Sequence, residues 1–148
     1  MRRLILVAVV TLLAGCGGGG GDQLSADDYR AQATKICADA KRQTDALGRP
    51  KTTSEFKTFL AKGIRVTERN LQRFQDLKPP DDLQAKHDAI VAGEKSGLEQ
   101  LKKLSSQLKG DARDVALLRK TQPELARLSD ETDARFRDAG LDRCAQSS

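Results

Sequence analysis

Leu77-Lys78-Pro79-Pro80-Asp81-Asp82-Leu83 splits the longest apolar pattern of the chain into two helices, and that division decides the fold. Consecutive prolines remove two backbone donors and push the residue before each out of helical conformation, so no helix runs through them. Upstream, Thr52-Thr53-Ser54-Glu55 is a capping box, after which Phe56, Phe59, Leu60, Ile64, Leu71, Phe74 and Leu77 recur at three-to-four spacing. Downstream, Asp81 or Asp82 caps the next helix, whose stripe is Leu83, Ile90, Val91, Leu98, Leu101, Leu104 and Leu108 up to Gly110. Two long amphipathic helices joined by so short a turn must lie side by side.

The flanking segments repeat the pattern. Ser25 caps a first helix with Asp27 and Asp28 at its positive end, and Tyr29, Ala33, Ile36, Ala40, Thr44 and Leu47 form its stripe until Gly48 and Pro50 stop it. Asp111 begins a fourth, with Val115, Leu118, Gln122, Leu125, Leu128, Thr132 and Phe136 on the inner face and Gly140 at the end. Pro123 lies inside that pattern and predicts a kink or a break near Thr121 to Pro123. No segment reads as a strand. The expectation is an all-α fold, an antiparallel up-down four-helix bundle closed by one disulfide.

The N-terminus fixes the compartment. Arg2 and Arg3 precede an apolar stretch from Leu4 to Leu13, and Leu13-Ala14-Gly15-Cys16 closes it. A basic start, a short apolar region and small residues before the cleavage point make an export signal, too short for a membrane-spanning helix. The four-residue closing motif resembles a bacterial lipobox, which implies diacylglyceryl transfer to the Cys16 thiol and cleavage between Gly15 and Cys16. Gly17 to Gly21 follow as a tether of roughly 12 Å in random-coil scaling. The expected organisation is a signal peptide over 1–15, a lipidated Cys16 with its tether over 16–23, and a helical domain over 24–148. With two or three acyl chains on Cys16, the domain stays on the outer face of the cell membrane, or on an outer membrane if the host has one.

Export leaves Cys37 and Cys144 in an oxidising compartment with Cys16 spent on lipid, so the two are expected to pair. Without a Cys-x-x-Cys motif the pair reads as structural. Straight helices place Cys144 about two turns too low to meet Cys37. Either the Pro123 break shifts the last segment, or residues after Gly140 climb back along the first helix.

The lipobox, the glycine tether, Tyr29-Arg30-Ala31 leading to Ile36-Cys37-Ala38, Leu77-Lys78-Pro79-Pro80, and Gly140-Leu141 before Cys144 together resemble small actinobacterial-type lipoproteins of uncharacterised family. That resemblance implies the architecture of a lipobox signal followed by a disulfide-closed helical domain, and it implies no activity.

Composition narrows the function. Without Arg2 and Arg3, 24 basic residues face 21 acidic ones, a net charge of about +3 with the signs interleaved, unlike the single-signed field of a nucleic-acid binder. The chain has one His, no Trp and one Met, so His/Met or His/His haem ligation within the chain is excluded. His87 has no Glu three residues before it, so no di-metal carboxylate motif forms, and no Gly-x-Ser-x-Gly elbow or phosphate loop is present. No metal, no cofactor and no enzymatic activity are expected.

Two features remain. His87 and Glu94 fall within the apolar stripe of the third helix with Gly97 at its edge, and Gly63 and Thr67 fall within that of the second. Either the glycines let the helices approach while Thr67 or a water satisfies the carboxylate, or Thr67, His87 and Glu94 line a small polar ligand cavity between those helices. Lys62, Arg65, Arg69 and Arg73 form a basic stripe opposite the apolar face, either simply solvated or docking anionic lipid or surface polymer. The expected function is therefore a membrane-anchored, non-enzymatic interaction module of the cell envelope, with an envelope protein or anionic polymer as partner. The alternative is an extracytoplasmic small-ligand-binding protein.

Overall fold

The computed structural model describes residues 23–145. The signal segment 1–15, Cys16 and the glycine tether lie outside the described residues. The elements are α1 (Ala26–Asp45), α2 (Thr53–Gln75), α3 (Asp81–Gln107), α4 (Asp114–Asp138) and a single turn, α5 (Asp142–Ala145), with no strand among the described residues.

Local chemistry sets most of the boundaries. The Ser25 hydroxyl accepts the Asp28 amide at 3.1 Å and Thr52 accepts that of Glu55 at 3.1 Å, so both predicted N-caps form. The Glu55 carboxylate reaches one residue further back than a standard capping box, accepting the Lys51 amide at 2.7 Å. At α3 the expectation of an aspartate cap is corrected. Pro80, extended at ψ 160°, is the cap residue, and Asp81 and Asp82 fill the first turn, where Asp81 accepts a 2.8 Å bond from the Gln23 amide group. A proline flanking the start costs nothing, because the missing amide is one that a helix terminus would leave unpaired.

Helix α4 begins three residues later than the sequence pattern placed it. The Asp114 side chain turns back to accept the amides of Lys109, Gly110 and Asp111, at 3.0, 2.6 and 3.3 Å. Those bonds, that of Lys109 foremost, hold its carboxyl below the ordinary range. Of the expected kink or break, the break does not occur, and the helix runs on through Pro123. Pro123 is exposed, so the carbonyl one turn back can turn to water, and the Thr121 hydroxyl bonds the carbonyls of Leu117 and Leu118 at 3.0 and 3.2 Å.

Packing follows chain order: α1 on α2, α2 on α3, α3 on α4, with α5 bridging α4 back to α1. At the end of α4, Gly140 takes φ 73°, the Leu141 amide bonds the Phe136 carbonyl at 2.8 Å and the Gly140 amide bonds that of Arg137 at 2.9 Å. This is a Schellman motif, completed by the apolar contact between Leu141 and Phe136 in the core. It reverses the chain, so that residues after Gly140 climb along α1 and join Cys144 to Cys37, whose Cα atoms are 5.3 Å apart. Of the two routes open in the sequence, the reversal accounts for the bridge.

The core divides into two clusters. Tyr29, Ala33, Ile36, Phe74, Ile90, Phe136 and Leu141 pack around the disulfide end, while Leu60, Ile64, Leu71, Leu98, Leu104 and Leu108 pack at the other. Val115, expected on the inner face of α4, is 41 % exposed. Helix α1 has 20 residues against 27 in α3, about 10 Å less helix.

Candidate functional site

Between the two clusters lies a cavity of about 380 Å³. It exists because the inward positions at this level are small: Ala40 and Thr44 on α1, Thr67 on α2, Gly97 on α3, and Ser129 and Thr132 on α4 all line it. Helices α1 and α4 are joined through α5 rather than packed closely on one another, so the space beyond the disulfide is not filled from either side. Ile36, Phe74, Leu98, Leu128 and Phe136 supply large apolar walls, and Cys37 and Cys144 form one end.

Thr67 and Glu94 both line these walls, and no hydrogen bond joins them among the described residues. Thr67 therefore does not satisfy the carboxylate. Glu94 has no ion-pair partner among the described residues, and burial, with the nearby Asp133, pushes its carboxyl above the ordinary value near 4.5. The other ionisable group among the described lining residues is Lys41, whose ammonium is held by Asp45 at 3.1 Å. Asn70 is satisfied within its own helix, donating to the Val66 carbonyl at 2.8 Å and accepting from Arg73 at 3.1 Å.

His87 does not join them, which corrects its grouping with Thr67 and Glu94. It is 4 % exposed and belongs to the disulfide-end core, stacked on Phe74 with ring centroids 5.2 Å apart. Its Nδ1 lies 3.2 Å from the Tyr29 hydroxyl. Burial lowers the imidazole and pushes the Tyr29 phenol up to about 12, so the hydrogen bond joins a protonated phenol and a neutral ring. The residue that precedes Glu94 by two turns is thus held by aromatic packing, with α1 supplying its polar partner.

The glycines also divide. A Cβ on Gly63 or Gly97 meets nothing within 4 Å, so neither marks a close helix approach, and Gly97 opens directly on the cavity. The close approach is at Gly93, where a Cβ would strike the Arg135 guanidinium and lie 2.8 Å from the Thr132 hydroxyl. Gly93, Ser129, Thr132 and Lys41 were missed from sequence. The signal that finds them is small or polar residues at inward positions of several helices at one level, which appears only once the helices are aligned.

A shallower apolar groove, lined by Phe56, Leu60, Leu104, Val115 and Leu118, continues beyond the cavity and shares Leu101, Leu125 and Ser129 with it. The basic stripe is split: Arg73 pairs with Asp39 at 3.0 Å and Arg69 donates to Gln43 at 3.1 Å, while Lys62 and Arg65 make no ion pair among the described residues. No cluster of His, Cys, Asp and Glu suited to a metal occurs among the described residues, and no described helix is long and apolar enough to cross a membrane. Compared with known protein families, curated proteins and solved structures, the chain matches none.

Proposed function

We propose that this chain is an exported lipoprotein, held on the outer face of the cell membrane by an acylated Cys16, that binds a small and largely apolar ligand without transforming it. The observation that carries the ligand half is the cavity of about 380 Å³ beside Glu94. Its size falls in the range of about 300–1,000 Å³ usual for ligand sites, and its walls combine apolar surface with a few polar groups. Of the described lining residues only Lys41 and Glu94 ionise, and neither is paired with a nucleophile, which favours binding over catalysis.

The reading takes the four long helices as running up and down. Asp39 with Arg73 and Gln43 with Arg69 support opposite senses for α1 and α2, and Lys86 with Asp138 supports the same for α3 against a neighbouring α4. The anchor half rests on the lipobox and tether. A second reading, a docking module for an envelope protein or anionic polymer, draws on Lys62, Arg65 and the exposed Val115 beside the groove.

Two measurements test the proposal. Cys16→Ser is expected to leave the protein unprocessed or free of the membrane fraction; a variant still fully lipidated overturns the anchor. For the cavity, Nile red fluorescence rises with the wild-type domain and is lost in Gly97→Leu, whose side chain enters the open space, but not in Gly63→Leu. An unchanged response in Gly97→Leu overturns ligand binding in the cavity.

A further inference from the structure

We infer that the ligand is a cationic amphiphile, with an ammonium group against Glu94 and an apolar tail lying along the groove toward Phe56 and Leu104. The inference rests on the cavity-binding reading and adds the ligand's shape and charge. Shape comes from the continuity of cavity and groove through Leu101, Leu125 and Ser129. From Glu94 to Leu104 along α3 is about 15 Å at the helical rise, lined by leucines and without a second acid on the cavity or groove wall. Such a space fits an extended chain better than a compact ring system.

Charge comes from the groups around Glu94 on each packed helix. On α1, Lys41 is neutralised by Asp45, and Asp39 is taken by Arg73 of α2. On α4, Asp133 helps to raise Glu94 and is itself paired with Arg137 at 3.9 Å, while Arg135 lies over Gly93 and is paired with Glu131 at 3.9 Å. Arg119 lines only the outer groove. The unmet charge inside the cavity is therefore negative, and an alkylammonium meets it with a charge-assisted hydrogen bond while its tail covers the leucines. A carboxylate head would face Glu94 as a like charge. Because Glu94 is held above its ordinary value, seating a cation against it expels any proton it carries, so binding tightens as pH rises through the Glu94 titration.

The test displaces Nile red from the wild-type domain and from Glu94→Gln with dodecylamine, 1-dodecanol and dodecanoate, each below its aggregation threshold. Glu94→Met serves as a second variant, and matched melting curves control for folding. Dodecylamine is expected to bind the wild type about tenfold or more tighter than the alcohol at pH 7, the scale of one charge-assisted bond, and to lose that preference in both variants. Equal affinity for amine and alcohol, tighter binding of dodecanoate, or a preference surviving in Glu94→Gln overturns the cationic assignment and leaves the cavity reading standing. Displacement by none of the three, together with an undiminished dye response in Gly97→Leu, overturns both.

Discussion

His87 and Glu94 stand seven positions apart on α3, and burial moves them in opposite directions: the imidazole below 6.5 and the carboxyl above 4.5. For His87 the unfolded chain binds the proton more readily, so its contribution is fully present above 6.5 and is lost as pH falls through the lower folded value. For Glu94 the folded chain binds the proton more readily, so its contribution is present below 4.5 and is lost as pH rises through the higher folded value. Urea denaturation at pH 4, 5.5 and 7.5 should therefore show Glu94→Gln gaining stability at pH 7.5 and little at pH 4. His87→Phe should flatten the loss between pH 7.5 and 5.5. Parallel pH profiles for all three proteins would refute the assignment of these limbs. A helical wheel places both residues on the apolar face, and that much was legible. It carries no depth, so it does not distinguish a ring clamped by Phe74 and Tyr29 from a carboxylate on a void.

Among the elements, α1 to α3 were legible nearly to the residue because Ser25, Thr52 and the Pro79-Pro80 turn each state a boundary in local chemistry. Helix α4 was less so. Its start depends on the Asp114 carboxylate folding back on the preceding turn, a contact that looks in sequence like any acid near a helix end. Its continuity depends on Pro123 being exposed. A helix-interior proline is about 3 kcal/mol less favourable than alanine, offset in part by the stiffer unfolded chain. Pro123→Ala is accordingly expected to stabilise the domain by about 1–2 kcal/mol, read from the urea midpoint at constant slope. Destabilisation would mean that the proline is required to seat Leu125 and Leu128 on the cavity wall.

At the scale of the whole molecule, the pairing of Cys37 with Cys144 was legible from the cysteine count and the expectation of export, whereas its route was not, because the Schellman reversal at Gly140 reads in sequence as an ordinary stop. The cavity was legible only as Thr67 and Glu94, since its other walls come from α1 and α4, whose level relative to α2 and α3 no local pattern fixes. The bridge closes 107 residues, and its loss is expected to cost about 2–5 kcal/mol and to lower the melting temperature of the Cys37→Ser, Cys144→Ser double variant by about 5–20 °C. An unchanged melting curve would mean that the bond adds nothing to stability. The bridge also governs what a protease can do. The connections 46–52 and 108–113 fall inside the covalent loop. A single cut in either yields two fragments that remain one covalent molecule until a reductant arrives. On the proposed anchor at Cys16, only cleavage ahead of Cys37 would sever the domain from the membrane, so shedding would be decided at the glycine run and the first turns of α1, and nicking inside the loop would leave the domain attached.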